Sequence, residues 1–282
     1  MYKLNYYTKK YYEIRELSIH EYDSFVQDRN YIYFYLHIEE LYSILKLNIG
    51  EFWKYLLELT EYHRLNFVYE FDEYLEPRVI VNQKLSNILT SFKSYEDLLR
   101  KHFSIYENLI ENKDAVINNL FSKTYDEFLG YRFLYRLRNY MQHFNLPIQS
   151  VAIRSETVDI PLKMVAFTVE PEFDKLELLK FKKWSTVRPE IEKMKNNIAC
   201  KPIVDNFHTA INTLHGGLRK IFFPKYDEVK IRIENILNET KLHLKNQKDE
   251  STDFAAYITE LKEDTALNNI GSLMKFLKEL IS

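Results

Sequence analysis

One cysteine, five glycines and seven prolines are all that 282 residues supply of the types that staple, bend and break a chain. The lone Cys200 has no partner for an intrachain disulfide, which predicts a reducing compartment. So little glycine and proline argues against a turn-rich β protein and for long helices. Long apolar runs are missing as well. No stretch approaches the roughly 20 residues that cross a bilayer, and the first ten residues lack the apolar core and small-residue cleavage site of a signal peptide. Neither sign of charge is in large excess. A net charge of −2 argues against a general polyanion binder, so any nucleic-acid site must be a local patch. These absences predict a soluble cytoplasmic protein with no membrane association.

What is present points the same way. Hydrophobic residues make up 46% and charged residues 28% of the chain, the balance of a folded domain that buries a core without staples. The 22 tyrosines and 19 phenylalanines make that core unusually aromatic. The expected fold class is mainly α, with a small β excursion.

Helical spacing runs from Asp23 to Leu59, with a C-cap and restart expected at Asn48-Ile49-Gly50. Pro77 is expected to end this first region. Val79, Val81, Leu85, Ile88, Leu89, Phe92, Tyr95, Leu98 and Leu99 recur at three- and four-residue steps, predicting an amphipathic helix over 79–110. A short helix over 114–121 follows. Thr124 and Glu127 then have the spacing of a capping box opening the next helix, which Pro147 stops. The β-branched run Lys163–Glu170, with Val151–Arg154 before it, predicts a small β-hairpin near 151–170. Helical spacing resumes at about Leu176. Pro202 opens a segment that Gly216-Gly217 is expected to cap, a polar helix runs from Tyr226 to about Asn246, and final helices follow a break at 249–252. The organisation is thus 1–77, a mostly helical region; 78–150, a helical core; and 151–282, a hairpin followed by C-terminal helices. All three stretches together also suit one compact domain.

The segment that carries chemistry is Tyr131-Arg-Phe-Leu-Tyr-Arg-Leu-Arg-Asn-Tyr-Met-Gln-His143. It holds Arg138-Asn139-x-x-x-His143 close to a helix end. Arginine neutralises phosphate bidentately and is always charged; histidine gives or takes a proton near neutral pH. The Arg-x4-His spacing alone is weak, since composition predicts about 0.3 such pairs by accident, falling to about 0.03 when Asn must follow the Arg. Arg15 and His20 share the spacing and fail the second condition.

Residues 131–147 resemble the signature of the HEPN superfamily, Arg-Asn/Asp/His-x-x-x-His, and a group of bacterial proteins with the same aromatic lead-in and the Leu-Pro that follows. The resemblance covers the motif helix, with 79–110 as its antiparallel partner. It implies an all-helical core that dimerises through the motif helices and lines a shared cleft with Arg138, Asn139 and His143. Many members are metal-independent ribonucleases of toxin–antitoxin, phage-defence and RNA-processing systems; others keep the fold without cleavage. The resemblance therefore implies an endoribonuclease with RNA as partner, a homodimer, an antitoxin or regulatory protein as a further partner, no cofactor and no metal. The alternative is a non-catalytic scaffold or binding protein of the same fold.

The chemistry of RNA suits these residue types. The ribose 2′-OH is a built-in nucleophile, so an enzyme has only to move protons and stabilise a phosphorane. His143 suits the proton transfers and Arg138 the nonbridging oxygens, while Asn139 orients either. His143 lies four residues before Pro147, where the negative end of the helix dipole favours a cation. One difficulty is geometric: at ~100° per residue, Arg138 and His143 stand roughly 140° apart around a straight helix. Arg132 and Arg136, at spacings that share a face with His143, are rivals for the phosphate, and Gln142 is a further supporting residue.

Weaker candidates accompany the motif. Asp205, His208 and His215 lie near one another in sequence but offer no firm third metal-ligand spacing. Lysines and arginines between Lys175 and Lys195 are interleaved with glutamates, the pattern of a solvated face rather than an RNA track. Trp184 and Phe181 fit a core better than a stacking surface, and Tyr31–Tyr35 a packed element better than a partner surface.

Overall fold

The computed structural model describes residues 2–7, 11–66, 75–105, 113–159, 164–247 and 255–260. In chain order its elements are β1 (Tyr2–Tyr7), β2 (Tyr11–Leu17), α1 (Ile19–Leu65), α2 (Leu75–Ile105), α3 (Lys113–Glu127), α4 (Leu129–His143), β3 (Ile148–Asp159), β4 (Met164–Asp174), α5 (Lys175–Lys180), a 3₁₀ turn at Ser185–Val187, α6 (Arg188–Lys193), β5 (Asn197–Ala199), α7 (Cys200–Asn246) and β6 (Ala255–Glu260). The fold is mainly α, as the scarcity of breakers predicts. Among the described residues, no helix is long and apolar enough to cross a membrane.

Several boundaries differ from those expected. α1 runs unbroken through Asn48-Ile49-Gly50, because Leu45, Ile49, Phe52 and Leu56 stay buried on one face across that step and outweigh the ~1 kcal/mol that an interior glycine costs. α7 likewise continues through Gly216-Gly217 and Pro224, carried by buried Leu214, Leu218, Phe222 and Tyr226. Pro77 opens a helix instead of closing a region: it stands in the first turn of α2, where a missing N–H leaves no bond unmade. Thr124 is no cap, since its Oγ1 donates to Leu120 O at 2.8 Å inside α3. The N-cap of α4 is Phe128, with no side-chain cap. A capping box lies instead at the start of α1, at Ser18 and Glu21: Glu21 N donates to Ser18 Oγ at 3.2 Å and Ser18 N to Glu21 Oε2 at 2.9 Å. Residues 2–7 and 11–17, read as part of a mostly helical region, form a β-ribbon, and 255–260, read as helical, form its third strand. The remainder of the expected final helices, the break at 249–252 and residues 106–110 of the second helix lie outside the described residues.

The chain divides into two compact units, residues 1–40 with 219–282 and residues 41–218. In the first, the antiparallel sheet β2-β1-β6 accompanies the start of α1 and the later part of α7. Tyr31, Phe34 and Tyr35 are buried there. Phe34 meets Phe222 edge-on at 5.2 Å, Tyr35 stacks on Tyr226 at 4.9 Å, and Tyr31 Oη donates to Phe222 O at 2.7 Å. Two fork-shaped ion pairs lock α1 to α7 in this unit: Arg219 on Glu39 at 2.8 and 2.6 Å, and Arg232 on Asp28 at 2.7 and 2.6 Å.

The second unit holds the motif helix. β3 and β4 pair antiparallel from Ile148↔Phe173 to Asp159↔Met164, and β5 adds a short third strand beside Glu172–Asp174. The hairpin is longer than its expected span. Pro171 does not end β4, because it stands just before the first β4–β5 pair, where one side of the strand has no ladder partner. α2 buries Val81, Leu85, Ile88, Leu89, Phe92, Tyr95, Leu99 and Phe103 at the predicted helical steps. Phe92 meets Tyr131 at the start of α4, at 5.0 Å, while Asn82 meets Ile148 just beyond its end. α2 and α4 therefore run antiparallel.

Candidate functional site

α4 buries Gly130, Tyr131, Phe133, Leu134, Leu137 and Tyr140, the i, i+3, i+4, i+7 stripe of an amphipathic helix. Phe133 and Tyr140 pack on Trp184 at 5.6 and 5.8 Å, and Tyr140 meets Phe181 at 5.7 Å. Trp184 and Phe181 are thus core residues. Burying each of these large side chains is worth about 1.5–3 kcal/mol, so packing fixes the rotation of α4 and decides which residues face outward. Gly130 lets α4 approach α7 backbone to backbone: a Cβ there would stand 2.4 Å from Ile203 O. Its own N–H donates to Asn206 Oδ1 at 2.7 Å.

The polar residues of the motif fall on the opposite side. At ~100° per residue, Arg138 stands at one edge of the buried stripe, and Gln142, Tyr135, Asn139, Arg132, His143 and Arg136 follow across the outward arc. Gln142 and His143 are exposed; Arg138, Asn139, Arg136 and Arg132 are half-buried. The ~140° separation of Arg138 from His143 therefore persists, since α4 is a regular helix through His143. His143 is its last residue, and Phe144 N caps the turn on Tyr140 O at 2.8 Å.

The six residues divide by what their side chains touch. Arg132 is committed to the fold: its Nε donates to Glu190 at 2.9 and 3.1 Å, its Nη2 pairs with the same carboxylate, and its Nη1 reaches Tyr125 O and Asp126 O at 3.2 and 3.0 Å. Arg136 lies over the Tyr135 ring at 5.6 Å and has no carboxylate partner among the described residues. Arg138, Asn139, Gln142 and His143 make no side-chain hydrogen bond or ion pair with the described residues. Arg136 and Arg138 each bury an Nε with no hydrogen-bond partner. A buried donor left unmade costs about 1–3 kcal/mol. Among the described residues, by contrast, eight of the twelve arginines are paired with a carboxylate.

Other candidates resolve into structure. His215 is buried, its ring stacked on Tyr42 at 3.7 Å and its Nδ1 3.1 Å from Tyr95 Oη. Asp205 is exposed and His208 half-buried. Among the described residues, no group of three or more His, Cys, Asp or Glu gathers as metal ligands. In the basic segment Arg188 pairs with Glu192 at 3.0 Å, Lys180 pairs with Glu177, and Lys175 Nζ donates to Met194 O at 3.0 Å, as a solvated face does. Arg15, of the second Arg-x4-His pair, is bound to Glu239 and Glu21 at 2.7 and 2.8 Å. Cys200 is buried, and burial pushes its thiol up, the setting of a structural cysteine.

Two supports of the site have no spacing signal. One is Asn82, whose amide holds the backbone of Ile148. The other is Tyr135, half-buried on the outward arc with Lys93 Nζ at 5.8 Å; its place is legible only once the buried stripe is known. No family model, curated protein or solved structure matches the chain.

Proposed function

We propose that this protein is a metal-independent endoribonuclease of HEPN type, acting as a homodimer through α4. The observation that carries the reading is the outward row Arg138, Gln142, Asn139 and His143, four polar side chains without partners among the described residues, in a chain whose other arginines are mostly paired. A guanidinium with an unmet Nε–H favours an anionic acceptor. Because one helix holds Arg138 and His143 on different sides, a second copy facing the first is needed to present both groups to one phosphate.

In this reading an imidazole takes the proton of the ribose 2′-OH as O2′ bonds to phosphorus. The P–O5′ bond breaks, and a protonated imidazole, from the facing copy, gives its proton to O5′. The products are a 2′,3′-cyclic phosphate and a 5′-hydroxyl. Arg138 stabilises charge on the nonbridging oxygens, Asn139 orients the imidazole or a phosphate oxygen, and Arg136 with Gln142 tracks the flanking backbone. DNA, lacking the 2′-OH, resists. A role in bacterial toxin or phage-defence systems, with an antitoxin or regulatory partner, accords with the same resemblance.

The test is incubation of purified protein with mixed RNA in EDTA. Fragments ending in cyclic phosphate are expected, and His143→Ala is expected to abolish them while leaving the dimer intact. RNA bound but never cut transfers the chain to the non-catalytic scaffold reading. RNA neither bound nor cut removes the nuclease proposal.

A further inference from the structure

The first unit contains a cleft of about 410 Å³ between the β-ribbon, the start of α1 and the later part of α7. That volume lies in the range of small-molecule sites. Its floor is apolar: Leu4 and Phe25 are buried, and Ile236 is half-buried. Its polar groups are unevenly used. Both oxygens of Asp28 accept from Arg232, through Nε at 2.7 Å and Nη2 at 2.6 Å. Both oxygens of Glu21 are likewise occupied, one by Arg15 Nη1 at 2.8 Å and the other by Ser18 N and Oγ at 2.9 and 2.8 Å. The cleft's carboxylates have no oxygen left without a partner.

Its donors do. Arg232 Nη1 and Arg15 Nη2 have no partner among the described residues, nor do the side chains of Asn235 and Ser24. The two guanidinium planes are held by their carboxylates, so little rotamer freedom is lost when a spare N–H is used. Nor is positive charge in excess here: two guanidinium groups meet three carboxylates. Arg15 is shared between Glu21 and Glu239, and Arg232 is matched by Asp28, which leaves no surplus positive charge to draw an anion and offset its desolvation.

We propose that this cleft binds a small neutral molecule with an apolar body and a carbonyl-type acceptor at one end, the body on Leu4, Phe25 and Ile236 and the oxygen on the spare donors of Arg15, Arg232 and Asn235. The site does not depend on the nuclease reading, since α4 contributes nothing to it.

Calorimetric titration of the full chain with three probes sharing one tail tests it: N,N-dimethyloctanamide (a neutral acceptor), octanoate (an anion) and octyltrimethylammonium (a cation), each below its micelle concentration. The amide is expected to bind at least tenfold more tightly than either ion. Ser24→Trp, at an exposed position on the cleft wall, is expected to abolish that binding with the thermal unfolding midpoint unchanged. Should Ser24→Trp fail to fold, Asn235→Ala serves instead and is expected to weaken amide binding at least threefold. Equal binding of all three probes, preference for either ion, or no binding of any overturns the proposal, as does amide binding that survives both substitutions.

Discussion

The side-chain amide of Asn82 closes a ring with the backbone of Ile148, its Nδ2 donating to Ile148 O and its Oδ1 accepting from Ile148 N, both at 3.0 Å and both buried. The same Nδ2 also donates to Arg78 O at 2.9 Å. One residue of α2 thus pins the chain just after Pro147, where α4 has ended and β3 begins. Asn82→Ala removes two buried hydrogen bonds and strands a backbone N–H and C=O, so a loss of about 2–4 kcal/mol is expected, measurable by denaturant unfolding. Asn82→Asp, which keeps the acceptor and loses the donor, is expected to be similarly damaging.

Gly130 makes a second prediction. An added Cβ would stand 2.4 Å from Ile203 O and 2.5 Å from Phe207 N, both backbone atoms of α7. Backbone cannot rotate aside as a side-chain tip can. Gly130→Ala is expected to cost about 1–3 kcal/mol or more despite alanine's better helix propensity. Gly50, whose Cβ would meet nothing within 4 Å, supplies the control: Gly50→Ala is expected to stabilise α1 by up to ~1 kcal/mol. Equal effects at the two sites would contradict the close approach of α4 to α7.

Arg132 and Arg138 separate structure from proposed chemistry. Arg132 holds Glu190 and two carbonyls near the end of α3, so Arg132→Ala is expected to destabilise by about 1–2 kcal/mol. Arg138 has no side-chain partner to lose among the described residues, so Arg138→Ala should stay within about 0.5 kcal/mol of the parent in stability. In the RNA assay the order reverses. Arg138→Ala and His143→Ala are expected to lower cleavage ~100-fold or more. Arg136→Ala measured beside them decides which guanidinium holds the phosphate.

Glu170 on β4 gives a pH signature. Its Oε1 accepts from Lys201 N at 3.1 Å in the first turn of α7. Burial, opposed by hydrogen bonds from Lys201 and Cys200, raises its carboxyl above the usual 4.5. The unfolded chain therefore ionises first. Below 4.5 the group contributes its full stabilisation, and that contribution is lost as pH rises through the folded value. Glu170→Gln keeps an acceptor for the α7 N-terminus without the charge. It is expected to flatten this part of the stability–pH curve and to be no less stable than the parent at pH 7, as read from unfolding midpoints between pH 4 and 8.

The helical spacing of α2 was readable because a buried face repeats every three to four residues whatever it packs against. Val81 through Phe103 therefore mark it without knowledge of a neighbour. The continuity of α1 and α7 was not readable in that way. Gly50, Gly216-Gly217 and Pro224 are breakers by local preference, and their cost is overridden by burial on both sides of each, a tertiary quantity. The β-ribbon of residues 2–7 and 11–17 was hidden for a related reason. Its third strand comes from residues 255–260, and no local pattern announces a partner some 250 residues away.

By itself the sequence determined that the chain is mainly helical, that the motif helix has a single apolar stripe, and that Arg138, Asn139 and His143 stand at fixed angles around it, because 3.6 residues per turn leave no choice. Only the tertiary structure decided how each arginine is used. Arg132 and Arg136 sit four residues apart on the same helix, yet one is held by Glu190 and the other lies over Tyr135. That difference arises because a carboxylate from α6 reaches the first and not the second. Spacing along a chain sets where a charge points; which counter-charge arrives to meet it is a property of the packed elements around it.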